Sequence, residues 1–393
     1  MTTTVSSCPH RKTWDATVRV TGGHPQQLWG IGEAQVSAEG PGLRVDRVMV
    51  HDDQHRTVGY AQLFLRSEAE RVIAGTVQCH VHRPADLPVL ADALADWARD
   101  EHSAALLRLD VDLLRTPAAE QALEAAGFVR PAAAGPDGPR RLEVLLGETE
   151  RDLARRLSET TLQRCRAALR TPGVTVREVS AGSDVLGRVG LRTRLIQQLL
   201  DDLGDDSLLL VATEAAADGS ETALGYLWFV HARGLAMIYR LGFTRRSRDL
   251  GVDDALLLTG LVELQKRQVR ALDGGDPAEP DVPLVVRELA GAERPALGTW
   301  ELALGRDRAG EFAAAADAAD AAAARTGTAV AAELGLDEAV PVREAPPVAE
   351  AAAGADRAET AEESRRSRVL RARSFTRRMV DEGMSALRDA AGR

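Results

Sequence analysis

Two distant segments of this chain carry the same short pattern, and that duplication limits the fold more than any other feature. Arg56 to Arg66 reads RTVGYAQLFLR and Thr222 to Arg233 reads TALGYLWFVHAR. Each runs small–apolar–Gly–Tyr–apolar into a β-like stretch, and each follows a polar turn, HDDQH in one case and ADGSE in the other. Further on, each copy closes on a similar strand, LEVLLG ending at Gly147 and WELALG ending at Gly305. Two matches in the same order point to two similar units in tandem.

Within the first unit, alternation predicts strands at about 43–50, 57–66 and 71–79. A helix near 87–101, the buried strand AALLRLDVD and a second helix ending at AAGF follow. The second unit opens with a helix near 149–170, broken from the strand VTVREV by Pro172-Gly173. A helix near 184–203 leads to the strands SLLLVATE, ALGYLWFV and LAMIYRLG. A short basic loop and a helix at 252–270 follow, with Gly274-Gly275 as its expected far-side cap. Hairpins followed by strand–helix–strand predict an α/β fold (α+β mixed sheets covered by helices). The expected domains are 14–148 and 149–305, then an alanine-rich helix and linker at 306–364 and a basic amphipathic helix at 365–393. In that last segment Val369, Phe375, Met379, Val380, Met384 and Leu387 share a stripe, and seven arginines fall between Arg365 and Arg378. Such a helix suits an anionic membrane surface, RNA or a protein partner, or else is simply solvated.

Cys8, Cys79 and Cys165 are the three cysteines and form no close pair, which excludes a disulfide framework and a zinc ribbon. The opening stretch is polar, no run nears the ~20 apolar residues of a bilayer span, and the net charge is −10. The expected location is cytoplasmic. Lysine occurs only at Lys12 and Lys266. His51, His55, His80 and His82 lack ligand spacing, so no metal is expected.

Strand, basic loop and helix at Ala236 to Asp276 suggest the phosphate grip of Gcn5-type acetyltransferases, whose usual signature is Arg/Gln-x-x-Gly-x-Gly/Ala. The match here is Arg248-Asp249-Leu250-Gly251-Val252-Asp253, followed by Asp254. Three carboxylates crowd the place of a pyrophosphate, and they suit a helix N-terminus by capping and dipole. Coenzyme A is therefore disfavoured.

Two tandem units of this type (acyl-CoA N-acyltransferase-like, or GNAT-like) with a degenerate coenzyme A loop in the second resemble the FemABX family. The resemblance runs from about Trp14 to Gly305. It rests on GHPQQLWGIGEAQ, VGYAQLFLR, LLRLDVD, AAGFVRP, TTLQRCRAALRTPGVTVRE, YRLGF and ALDGGD in that order. It implies an aminoacyltransferase that moves an amino acid from aminoacyl-tRNA to the stem peptide of a lipid-linked or UDP-linked muropeptide precursor, with no cofactor. The basic helix would then give peripheral contact at the inner face of the plasma membrane. Departures from the family are clear: Gln35 stands nearest a usual lysine, Val111 replaces a proline after Asp110, Arg-Gly-Pro is absent, and Val286-Arg287 replaces Phe-Lys.

An aminoacyl ester is already activated, so positioning, a neutral amine and a stabilised oxyanion suffice. Tyr239 is the candidate donor to the oxyanion or leaving hydroxyl, or else a half-buried strand tyrosine. Arg287, Arg164 and Arg166 are candidates for phosphate, or else solvated. Asp110 is the candidate for orienting the precursor or taking the ammonium's proton, or else a strand-end cap. Gln35 and Asp273 complete the substrate-binding set that the resemblance implies. Two other readings stay open: a weak or inactive paralogue acting as a partner, and an acetyl-coenzyme A N-acetyltransferase.

Overall fold

The computed structural model describes residues 3–68, 71–131, 138–191, 194–217, 219–278 and 282–305. The helices expected at 306–364 and 365–393 lie outside the described residues.

The first half comprises β1 (Thr4–Ser7), α1 (Arg11–Thr21), α2 (Trp29–Glu39), β2 (Leu43–His51), β3 (Thr57–Glu68) and β4 (Arg71–Thr76). The short β5 (His80–Val81), α3 (Leu87–Asp100), β6 (Ala104–Leu114), α4 (Pro117–Ala125) and β7 (Arg140–Leu145) complete it. The second half begins with α5 (Glu150–Arg156), α6 (Glu159–Arg170), β8 (Val174–Glu178), α7 (Val185–Arg188) and α8 (Arg194–Leu203). It continues through β9 (Ser207–Ala215), β10 (Glu221–Ala232), β11 (Leu235–Phe243), α9 (Arg245–Leu250) and α10 (Val252–Lys266). The last elements are β12 (Ala271–Asp273), α11 (Leu284–Leu289) and β13 (Ala292–Ala303).

The strands form one mixed sheet in the order β1-β2-β3-β4-β6-β13-β7-β12-β11-β10-β9-β8, with β5 paired to β3 off this path. The order reads alike outward from the β13–β7 seam. On each side an antiparallel closing strand meets the second member of a parallel pair, β4 with β6 or β11 with β12, and an antiparallel run follows. The two closing strands are exchanged: β7 pairs with β12 of the second half, and β13 pairs with β6 of the first. Chain order could not reveal this, because both strands carry the same apolar–polar alternation.

The duplicated Gly–Tyr pairs occupy matching places. Gly59 lies on β3 and Gly225 on β10, the first against the short β5 and the second against the end of β11. A Cβ would sit 2.4 Å from His80 O at Gly59 and 2.6 Å from Gly242 O at Gly225. Only glycine allows that approach.

Three apolar clusters hold the chain. One lies beneath α3 and α4, with Trp300 of β13 built into it. A second lies beneath α5, α6, α10 and α11. α10 packs on α6, α9, α11, β9 and β10, which is why its apolar residues are not confined to one stripe. The third joins the halves: Trp14, Val18, Leu28 and Ile31 pack against Leu199, Trp228 and Val230. Arg19 Nε adds a bond to Asp206 across the same junction at 3.1 Å.

Several expected elements are divided. The helix at 149–170 is α5 and α6, separated by extended Leu157 and restarted by Ser158, whose hydroxyl accepts from Thr161 N–H. The helix at 184–203 is α7 and α8, and Gly190 between them has φ +74°. The basic loop after β11 forms α9, capped by the Thr244 side chain. α10 stops at Lys266, four residues short, with Gln268 at φ +62°, and Gly274-Gly275 follows β12 instead. Among the described residues, no helix is long and apolar enough to cross a membrane.

Candidate active site

Each parallel pair opens at its end, and the two openings point to one region. β4 stops at Thr76 because Gln78 turns at φ +50°, while β6 runs on through Asp110 to Leu114. β12 stops at Asp273, beside Met237, while β11 continues through Tyr239 to Phe243. Past Thr76 the first pair is still bridged at Cys79, whose N–H donates to Asp110 O at 2.8 Å and whose carbonyl accepts from Asp112 N–H at 3.0 Å, so it is side chains that face the opening there.

A chain of charged and polar groups links the openings. The Gln78 backbone N–H donates to Asp110 Oδ2 at 3.1 Å, and its side-chain amide lies 3.3 Å from the same oxygen. The Gln78 side-chain oxygen, Oε1, accepts from Arg141 of β7. Arg141 also meets Asp112 at 2.7 Å and Asp273 at 3.3 Å. His24, on the turn before α2, closes the chain with Nε2 3.0 Å from Asp273 Oδ2. Burial pushes the Asp110 carboxyl above the usual range, although Gln78, Arg141 and His24 pull the other way. Burial would also raise Asp273, but the bond from His24, the charge of Arg141 and the Gly275 N–H together hold it below that range. Asp110 is thus the better proton acceptor of the two, and Asp273 stays ionised.

Beside this chain, a cleft of about 250 Å³ opens between α2 and α8 over the floor of β10 and β11. Val77 and Met237, at the ends of the two parallel pairs, both line it, as do Gln35 and Tyr239. Gln35 Nε2 donates to Glu39 Oε1 one turn on, at 3.4 Å. Tyr239 packs edge-on against Trp228 with ring centroids 5.1 Å apart. Its hydroxyl makes no hydrogen bond among the described residues.

The expected arginines lie elsewhere. Arg287 is exposed on α11 and donates to the carbonyls of Val282 and Pro277, at 3.2 and 3.3 Å. Arg166 is 3.7 Å from Glu159 on its own helix. Arg164 reaches from α6 to the N-terminus of α10, where it donates to Arg248 O at 2.9 Å. There it also lies 3.6 Å from Asp253 and 3.4 Å from Asp254. These acids sit in the first turn without a side-chain capping bond. Gly251, in the left-handed region at φ +73°, makes room for the arginine, since a Cβ there would lie 2.5 Å from Arg164 Cγ.

That geometry does not fit coenzyme A. A pyrophosphate at this helix end would meet the carboxylates of Asp253 and Asp254, with Arg164 already engaged by them and by Arg248 O. The matching connection in the first half, residues 77–86, contains no glycine, and Arg83 there is tied to Asp86 at 2.8 Å. Among the described residues no group of three His, Cys, Asp or Glu side chains is arranged to hold a metal ion.

The chain aligns with a solved structure described as FemX. That match has a TM-score of 0.61 and 14% identity over 77% of this chain and 97% of the other. The chain has the FemX fold. Two further structures align over similar spans. A tandem GNAT protein from the clavulanic acid biosynthesis pathway has TM-score 0.47 and 15% identity, covering 78% of this chain and all of that one. L-PGS from Bacillus licheniformis has TM-score 0.47 and 12% identity, covering 79% and 96%. No protein-family model and no curated protein matches. The fold expected from the resemblance is therefore present.

Within this FemX fold the structure brings Asp110 and Asp273 into one network and Gln35 and Tyr239 into the neighbouring cleft. Arg287, Arg164 and Arg166 are outside both. Sequence reasoning missed His24, Gln78, Asp112 and Arg141. His24 and Asp112 lay inside stretches already singled out, GHPQQLWGIGEAQ and LLRLDVD. Nothing local marked Gln78 or Arg141.

Proposed function

We propose that the protein is an aminoacyltransferase that moves an amino acid from aminoacyl-tRNA to an amine of a peptidoglycan-precursor stem peptide. The observation that carries this reading is Arg164 seated on the N-terminus of α10. It argues for a donor that needs no pyrophosphate grip there, within a fold otherwise built for acyl transfer.

In this reading the acceptor enters as an ammonium and Asp110 takes its proton, a role helped by the raised carboxyl. The neutral amine attacks the ester carbonyl, and the Tyr239 hydroxyl donates to the developing oxyanion. The carbon–oxygen bond to the ribose then breaks, the leaving oxygen takes up the proton held by Asp110, and the second proton shed by the attacking nitrogen passes to water. Asp273 and Arg141 keep the floor of the site fixed and charged, and His24 holds Asp273 in place. No covalent enzyme intermediate is needed.

The test is a transfer assay with labelled aminoacyl-tRNA and muropeptide precursor, run beside Asp110→Asn and Tyr239→Phe. Precursor-dependent amide formation that falls at least about a hundredfold in Asp110→Asn supports the reading. Transfer that persists in both variants removes these residues from the chemistry. No transfer from any tRNA, together with coenzyme A-dependent acylation, overturns the reading.

A further inference from the structure

The cleft beside the network is lined by more apolar surface than the transfer step requires. Ile31 and Ala34 of α2 meet Ile196 and Leu199 of α8 across it, over Trp228 and Met237. Its polar groups are few. The Gln26 side-chain oxygen is buried there without a hydrogen-bond partner. Glu39 is already engaged by Arg66 and by Gln35. Arg240 lies over the Tyr239 ring at 5.3 Å and, among the described residues, has no carboxylate partner.

We infer that this cleft receives the side chain of the donor's aminoacyl group and selects a bulky apolar one, of leucine, methionine or phenylalanine size. The inference rests on the aminoacyl-transfer reading above and names its donor class. Three features match such a donor: carbon surface for the side chain, an unpartnered acceptor at Gln26 for the α-ammonium, and Arg240 for the phosphodiester that precedes an aminoacylated RNA end. A glycyl or alanyl group would leave most of the 250 Å³ unfilled. A seryl side chain would leave the carbon surface of Ile31, Ile196 and Leu199 uncovered. A lysyl ammonium would meet only a carboxylate already paired.

The experiment uses the full chain and RNA minihelices carrying leucine, phenylalanine, glycine, serine or lysine through a non-hydrolysable 3′-amide, with the uncharged minihelix as control. Binding is read by fluorescence anisotropy. The leucyl and phenylalanyl forms are expected to bind at least about tenfold more tightly than the glycyl and seryl forms. Ala38→Leu, a helix-compatible change on the cleft wall, should reduce leucyl binding to the glycyl level and leave uncharged RNA unaffected. Leu195→Ala, which enlarges the cleft, should shift preference from leucyl to phenylalanyl and keeps the test decisive if Ala38→Leu fails to fold. Equal binding of all charged forms, or a preference unchanged in both variants, overturns this inference and leaves the proposed reaction standing. Failure of every RNA to bind overturns both.

Discussion

His24 Nε2 stands 3.0 Å from Asp273 Oδ2, fastening the first half's turn before α2 to the last residue of β12 in the second half. His24 Nδ1 accepts the Gln26 N–H at 3.2 Å, so the neutral ring carries its proton on Nε2 and donates it to the carboxylate. Replacing His24 with Ala removes a buried bond to a charged group and should cost about 1.5–3 kcal/mol at neutral pH. Asp273 is held below its ordinary range, so this stability exists above the unfolded carboxylate value and is lost as pH falls through the folded one. The difference between His24→Ala and the parent should therefore shrink below about pH 4. Urea unfolding at pH 7 and pH 3.5 measures it, and an equal difference at both would remove the linkage.

Asp110 shifts in the opposite direction. A base must be deprotonated to act, so transfer should rise with pH along a limb placed above the ordinary carboxylate range. Gln78→Met deletes the side-chain amide that favours the charged form and should move this limb further towards neutrality. A pH–rate profile of parent and variant is the measurement. A limb that moves to lower pH would contradict the assignment.

Arg164 is partly exposed, so its pairs with Asp253 and Asp254 are screened, and Arg164→Ala should cost no more than about 1 kcal/mol. Without the arginine the two neighbouring carboxylates repel, and Asp254 is already raised by burial and by Asp253. The cost should be greatest at pH 7 and fade as Asp254, whose carboxyl is raised, takes up its proton. Thermal unfolding of the variant at pH 7 and pH 4.5 tests this, and a larger loss at the lower pH would refute it.

Gly59→Ala and Gly225→Ala should behave as a pair. Each new methyl would press on a backbone carbonyl at 2.4 or 2.6 Å, and overpacking of this kind costs about 1–3 kcal/mol. Denaturant midpoints for the two variants should fall together. A neutral effect at either site would show that the strand crossing there is loose.

Local pattern determined a good deal of this protein. The alternation in RTVGYAQLFLR and TALGYLWFVHAR, and the turns before them, placed β3 and β10, because strand period and turn chemistry act over a few residues. The Gly–Tyr repeat pointed correctly to two similar units, and the acids after Gly251 marked the first turn of α10. Helix breaks at Ser158 and Gly190 were harder to read, since the apolar period continues across them. Only the tertiary structure decided which strands pair at the seam: β7 and β13 have interchangeable patterns, and the choice depends on the parallel partner each one meets. It alone assembled Gln78, Asp112, Arg141, His24 and Asp273. Their partners lie far apart in the chain, and a charge recruited across such distances leaves no periodicity to find. Burial raises both carboxyls, and it is the bond from His24, the charge of Arg141 and the Gly275 N–H that set Asp273 below Asp110, partners that meet only in the folded whole.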